Sequence, residues 1–142
     1  MKNTISIILF LFISININST AFATESQMKF FVSLTTDDLD RAAMAVGISS
    51  KVLSTRKIPV TIFLSAQGVR WADKNIPQNR HVSGKTVPEM LKHFIASGGQ
   101  VIICKMCMKN VGGLKKEEVL EGIKFTGTLD ALFADNTTVL SY

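Results

Sequence analysis

The sequence predicts an α/β fold, a three-layer α/β/α sandwich built on a mostly parallel sheet of about five strands. Short apolar segments alternate with helical segments over the chain after residue 23. The segment 59–64 is apolar nearly throughout rather than at every second position, which is typical of a strand covered on both faces. This alternation favours crossover connections, and therefore parallel pairing within one domain.

Residues 1–23 precede this pattern and have the features of an export signal. Lys2 is followed by the apolar run 5–15 and then by Ala21-Phe22-Ala23. The run is about a dozen residues long, whereas a membrane-spanning helix needs roughly 20. We therefore interpret residues 1–23 as a signal peptide that is cleaved after Ala23. Residues 24–142 then form one exported domain, located in the periplasm and without stable membrane insertion.

The predicted elements follow from hydrophobic periodicity and from turn and capping residues. The helix over 39–53 has apolar and small residues at three- and four-residue steps, and Asp37 is its simplest N-cap. The predicted order is strand 29–34, helix 39–53, strand 59–64, a polar excursion 65–85 with a helical part at 69–74, helix 88–96, strand 100–103, helix 105–111, helix 115–121, strand 123–125, helix 128–133 and strand 138–141.

A ligand crevice is expected outside the carboxyl ends of the strands, as in open parallel sheets generally. The residues that directly follow the first three strands are the candidates for lining it. They are Thr35, Thr36 and Asp37, then Ser65, Gln67 and Gly68, and finally Cys104, Lys105, Met106 and Cys107. Arg70 and Trp71 are candidates for its wall, although Trp71 also suits an anchor at a subunit contact.

Cys104 and Cys107 are the reactive groups of this set. A thiol between a strand end and a helix start faces unpaired backbone N–H groups and the positive end of the helix dipole, which both favour the thiolate. Lys105 and Lys109 add positive charge nearby. We predict Cys104 as a nucleophile and Cys107 as a resolving thiol. The alternative is that both thiols only pack in the interior, as free cysteines often do.

The same segment contains soft sulfur ligands that would suit Cu(I), namely Cys104, Met106, Cys107 and Met108. The simpler interpretation is that both methionines point into the core of a short helix. His81 and His93 do not have the spacing of a zinc site, which needs about four ligands. We therefore expect no resident cofactor and keep copper binding as an alternative.

Charge and glycine patterns argue against other classes of function. The net charge is +5 at pH 7, but lysines and arginines occur singly or in pairs rather than in runs, which disfavours nucleic-acid binding. The chain has no glycine-rich phosphate loop and no supported arrangement of serine, histidine and acid, which disfavours nucleotide binding and hydrolysis.

Three segments carry the pattern of a known family: 40–45 (DRAAMA), 59–69 with PVTIFL and QGV, and 103–108 (ICKMCM) with Gly112 behind it. Together they resemble the DsrE/DsrF-like family over nearly all of residues 24–142. The resemblance implies a parallel five-stranded sheet and homo-oligomers, commonly trimers or hexamers. The best-understood members are sulfur-relay proteins that carry sulfur as a persulfide on a cysteine at the position of Cys104.

The resemblance and the thiol segment together predict a periplasmic sulfur-handling or thiol-redox protein, with a sulfur donor or acceptor protein as partner. Any turnover would be sulfurtransferase-like or thiol–disulfide exchange. The relay proteins work in the cytoplasm and need no second cysteine, so the leader and Cys107 are departures from them. The competing hypothesis is a non-catalytic binding module for Cu(I) or a small thiol-reactive ligand. A third hypothesis is a structural oligomer in which the thiols are present but have no chemical role.

Overall fold

The computed structural model describes residues 27–142, so the expected signal peptide at 1–23 lies outside the described residues. The strands are β1 (Lys29–Leu34), β2 (Val60–Leu64), β3 (Gln100–Ile103) and β4 (Thr137–Ser141), and the helices are α1 (Leu39–Lys51), α2 (Val87–Ala96), α3 (Lys105–Asn110) and α4 (Thr128–Leu132). Two 3₁₀ segments, Ala66–Ala72 and Lys116–Glu118, and a π-helical turn, Val52–Arg56, are also present. Within 27–142 no helix is long and apolar enough to cross a membrane.

The strands form one sheet in the order β3-β2-β1-β4, with every pair of neighbours parallel. The chain moves from β1 through β2 to β3 and then returns past β1 to β4. Because crossovers between parallel strands are right-handed, the connections that contain α1 and α2 lie on one face and the return connection passes over the other. The predicted α/β fold with a parallel sheet is confirmed.

The main core lies between the sheet and the pair of helices α1 and α2. Alternate strand residues point into it, since successive side chains of a strand face opposite ways. Its fully buried strand and helix residues include Val32, Leu34, Ile62, Leu64, Val101, Ala42, Ala45, Val46, Leu91 and Phe94. Phe31 and Phe63 point to the opposite face, where their ring centroids lie 6.1 Å apart. This core fixes the ends of β1, β2 and β3 relative to one another.

The described sheet has four strands rather than five, because the strand expected at 123–125 is reduced to a single bridge. Lys124 pairs in parallel with Ile102. Its N–H donates to the Val101 carbonyl at 2.8 Å and its carbonyl accepts from Ile103 at 2.9 Å. Gly122 and Gly127 turn the chain on either side, with φ of 84° and 90°, so the extended segment cannot lengthen.

The segment 115–121 forms only the 3₁₀ turn Lys116–Glu118 instead of the expected helix. Val119 takes an extended conformation and pairs with Asp73 in an antiparallel bridge. The Leu120 N–H then donates to the Ala72 carbonyl at 2.8 Å. This pairing ties the segment to Ala66–Ala72, which is itself 3₁₀ where a helical part at 69–74 was expected.

The N-cap of α1 is Asp38 rather than Asp37. The Asp38 carboxylate accepts the Arg41 N–H at 2.9 Å, while Asp37 forms an ion pair with Arg70. At α2, Thr86 and Glu89 form a reciprocal capping box, which satisfies unpaired N–H groups of the first turn and starts the helix at Val87.

Candidate functional site

Cys104 is the junction between β3 and α3. Its N–H donates to the Leu64 carbonyl at 2.9 Å, which continues the pairing of β3 with β2 by one residue. Its carbonyl accepts the Met108 N–H at 2.8 Å, which is the first hydrogen bond of the helix. Cys104 is therefore held from both sides, and its side chain stands at the start of α3 as the sequence predicted.

The thiol of Cys104 caps α3. Its Sγ accepts the Cys107 N–H at 3.3 Å, the bond that a capping oxygen makes in most helices. Both cysteines are half-buried and neither is in a disulfide. The three-residue spacing and this contact bring the two side chains to the same end of the helix, within reach of one another.

The protonation of Cys104 differs from the thiolate expected at a helix start. Burial raises the pKa of the Cys104 thiol, and the hydrogen bond and charge interaction with the Cys107 side chain raise it further. The backbone N–H groups of Cys107 and Met106 act in the opposite direction but do not offset burial. A helix of six residues also has only a small dipole. Burial and the Cys107 side chain therefore favour the protonated thiol of Cys104 over its thiolate by raising its pKa.

The sulfur atoms of α3 do not share one face. Met106 is 69% exposed and lies about 200° from Cys104 around the helix axis, whereas Met108 packs against the core. The expectation that both methionines point inward is wrong for Met106, which reaches solvent. No group of three or more His, Cys, Asp or Glu side chains in residues 27–142 is placed to hold a metal ion. His81 contacts Ser83 and Asp40, and His93 is exposed on α2.

The residues after β1 make structural contacts. The Thr35 hydroxyl donates to the Tyr142 carbonyl at 2.6 Å, and the indole N–H of Trp71 donates to the Thr36 carbonyl at 2.9 Å. Asp37 is exposed and paired with Arg70. Trp71 is only 6% exposed, so it is an interior contact rather than a surface anchor for another subunit.

The residues after β2 pack against the carboxyl end of β1. The backbone of Gly68 lies so near β1 that a Cβ on it would be 2.2 Å from the Leu34 carbonyl oxygen. The Gly68 N–H donates to the Thr35 carbonyl at 3.1 Å, and the Ser65 N–H donates to the Leu34 carbonyl at 3.0 Å. Gln67 is exposed. The segment Ala66–Ala72 therefore covers the ends of β1 and β2, and Cys104 supplies a thiol at the end of β3.

A cavity of about 800 Å³ lies on the other flank of α3, beside β3. Its lining residues are Lys105, Met108, Lys109, Leu114, Lys115, Lys116, Lys124, Phe125 and Thr126. We call it the lysine cavity. Lys105 is the one predicted pocket residue in this lining. All five lysines of the lining lie within residues 105–124, and the turn at Lys116–Glu118 and the bridge at Lys124 bring them to one cavity.

The sequence of this chain matches a known family over most of its length. The sequence model of the DsrE/DsrF-like family matches residues 18–140. The chain belongs to the DsrE/DsrF-like family. A search of curated proteins gave no match.

Solved structures share the fold of this DsrE/DsrF-like chain. The ychN protein from E. coli is 14% identical, with a TM-score of 0.65 and coverage of 82% of this chain and 99% of that one. The protein MTH1491 from Methanobacterium thermoautotrophicum, described as of unknown function, is 10% identical, with a TM-score of 0.66 and coverage of 82% and 100%. Membership of the DsrE/DsrF-like family suggests a role related to sulfur relay.

Proposed function

We propose that this protein handles sulfur through its thiol pair, with Cys104 as the nucleophile and persulfide carrier and Cys107 as the resolving thiol. The observation that carries this proposal is the contact of the Cys107 N–H with Cys104 Sγ at 3.3 Å, at the junction of β3 and α3. This contact brings the two half-buried cysteines to the same end of α3, and neither is in a disulfide.

Sulfur uptake starts with the thiolate of Cys104, which attacks the outer sulfur of a donor persulfide R–S–SH. The new bond joins Cys104 Sγ to that sulfur, the donor S–S bond breaks, and the donor leaves as R–S⁻. An acceptor thiolate then attacks the outer sulfur and Cys104 leaves as a thiolate. Each step exchanges one S–S bond for another, so no external oxidant or reductant is needed.

Cys107 supplies a second route from the persulfide. Its thiolate attacks Cys104 Sγ, which forms the Cys104–Cys107 disulfide and releases HS⁻. Two electrons then have to come from a dithiol reductant before the cycle restarts, and this reductant is a required partner of that route. The route distinguishes a chain with Cys107 from a carrier with a single cysteine.

The raised pKa of Cys104 supports carriage rather than rapid exchange. A thiol with a higher pKa is a poorer leaving group, so sulfur bound to Cys104 is released slowly to a random thiol. It also leaves little thiolate to react at neutral pH. Loading and unloading would then depend on a protein partner that binds near α3.

We place this function in the periplasm, on the strength of the apolar run and the Ala21-Phe22-Ala23 site in the first 23 residues. An oxidising compartment makes Cys107 useful, because the disulfide it forms protects Cys104 from overoxidation. We also propose a homo-oligomer, a trimer or hexamer, since proteins of this family are often oligomeric.

The test is sulfur uptake from glutathione persulfide, followed by intact mass and peptide mapping. Cleavage after Lys105 puts the two cysteines on different peptides, so the added sulfur can be assigned. Cys104→Ser should abolish uptake. The matched variant Cys107→Ser should retain it and accumulate the persulfide, because the resolving thiol is gone. Uptake by Cys104→Ser at the rate of the unchanged protein would contradict the proposal.

A further inference from the structure

The lysine cavity is the feature that the thiol chemistry does not use. Five of its lining residues are lysines, namely Lys105 and Lys109 on α3, Lys115 and Lys116 at the 3₁₀ turn, and Lys124 at the bridge to β3. No aspartate or glutamate lines it. Five of the twelve lysines in the sequence therefore surround one cavity, in a chain whose total net charge is only +5.

The charge of this cavity is not neutralised within the described part of the chain. The ion pairs among residues 27–142 join Arg70 to Asp37, Arg80 to Glu89 and His81 to Asp40, and none includes a lysine of the cavity. Of the nearest carboxylates in sequence, Glu118 accepts the Lys115 backbone N–H at 2.7 Å. Glu117 and Glu121 line a neighbouring cavity that contains Lys74 and Lys92 and shares Lys116 with the lysine cavity, but neither forms an ion pair with Lys116 in the described residues.

The wall between the lysines is apolar. Met108, Leu114 and Phe125 line the cavity, and Leu114 is buried while Met108 and Phe125 pack against the main core. The ammonium group of Lys116 lies 5.2 Å from the centre of the Phe125 ring, which holds it over the aromatic face. Lys124 donates to the Gln100 side chain at 3.4 Å. One of the five ammonium groups is thus held over an apolar surface, while that of Lys124 is directed to Gln100.

We propose that the lysine cavity binds a small organic anion with two or more negative charges and an apolar, preferably aromatic, body. The ammonium groups match the charges, and Met108, Leu114 and Phe125 match the body. A neutral ligand would leave the lysines uncompensated, and an inorganic anion would leave the apolar wall in contact with water. The volume of about 800 Å³ lies within the range of small-molecule pockets, roughly 300–1,000 Å³.

This site is separate from the proposed sulfur chemistry, since neither Cys104 nor Cys107 lines it. A ligand in the cavity would nevertheless lie near the two thiols, because Lys105, Met108 and Lys109 belong to the helix that Cys104 caps. Binding to the cavity needs no thiol, so the two proposals can fail independently.

The test is a fluorescence titration at low ionic strength with pyranine, an aromatic trisulfonate. We expect the unchanged protein and Cys104→Ser to bind the dye equally. The double variant Lys109→Gln, Lys116→Gln should bind it at least about tenfold more weakly, because two charge-assisted contacts are lost. The matched control is Lys51→Gln, Lys85→Gln, which removes the same net charge from exposed positions outside the cavity and should bind within about twofold of the unchanged protein.

Competition with citrate separates the two parts of the proposal. Citrate carries three negative charges without an aromatic body, so it should displace pyranine only at concentrations well above those of the dye. Equal competition by citrate would overturn the role of the apolar wall. No binding of pyranine, or equal weakening in the cavity and control variants, would overturn the site itself.

Discussion

The carboxyl edge of the sheet has two regions that end in opposite ways. β1 and β2 end beneath the segment Ala66–Ala72, which fits against them through Gly68 and the buried Trp71. β3 ends at Cys104 beneath α3, a short helix with two half-buried thiols. The sheet is the same in both regions. What differs is the segment that follows each strand: the thiols lie where the short helix α3 follows a strand, and not where the tightly fitted segment Ala66–Ala72 does.

The largest effect on this contrast is expected from Gly68→Ala. The new Cβ would lie 2.2 Å from the Leu34 carbonyl oxygen, a backbone atom that cannot move without shifting β1. We expect a loss of about 3 kcal/mol in the free energy of unfolding, measured by denaturant titration, since overpacking against a rigid neighbour is costly.

The matched control is Gly47→Ala. Gly47 lies within α1, and apart from its chain neighbours and the backbone of its own helix, no atom lies within 4 Å of the position that an alanine methyl group would take. Alanine should therefore stabilise the protein by roughly 0.5–1 kcal/mol through its higher helix propensity. If Gly68→Ala were as stable as the unchanged protein, the segment Ala66–Ala72 would not be tightly fitted to β1, and the covered region would have to be regarded as open.

A smaller effect, at the end of β3, concerns the pH dependence of Cys104 alkylation. Burial and the Cys107 side chain raise the pKa of Cys104, so the thiolate that reacts with iodoacetamide forms only as the pH rises above the ordinary thiol range. The alkylation rate of Cys104, followed on its own peptide after cleavage at Lys105, should be low at neutral pH and still increase beyond about pH 9.

Cys107→Ser sharpens this measurement. This substitution removes the interaction with the Cys107 side chain but leaves Cys104 buried. The midpoint of the rate profile should therefore move to lower pH, but it should not fall below the pKa of an ordinary thiol. A midpoint below the ordinary thiol range in either protein would show that the start of α3 favours the thiolate after all.

The elements with a strong local pattern could be predicted from the sequence. The alternation of apolar strands and helices predicted the parallel sheet, and the position of Cys104 after an apolar strand predicted its place at the start of α3. The absence of a fifth strand could not be predicted from this pattern. Residues 123–125 are strand-forming, but Gly122 and Gly127 on either side take positive φ angles, and these limit the segment to one bridge.

The candidate site was less accessible to sequence reasoning, because it depends on contacts between distant segments. The pKa of Cys104 follows from burial, which no local pattern specifies. Trp71 and Thr36 are 35 residues apart, yet their hydrogen bond is part of what covers the end of β1. The lysines of the cavity all lie within residues 105–124, but the turns of that segment, which no run of charge marks, are what bring them to one cavity.

The smallest effect is expected from Met106→Leu. Met106 is 69% exposed and lies on the side of α3 away from Cys104, so it makes few contacts that leucine would change. The free energy of unfolding should stay within about 0.5 kcal/mol of that of the unchanged protein.

In a Cu(I) titration, Met106→Leu and the double variant Met106→Leu, Met108→Leu should keep the affinity within about threefold, whereas Cys107→Ser should weaken it strongly, because thiolates are the stronger ligands of Cu(I). A tenfold loss in Met106→Leu would mean that α3 rearranges around copper to bring Met106 to the thiols. Met106 would then be a copper ligand in addition to the two thiols.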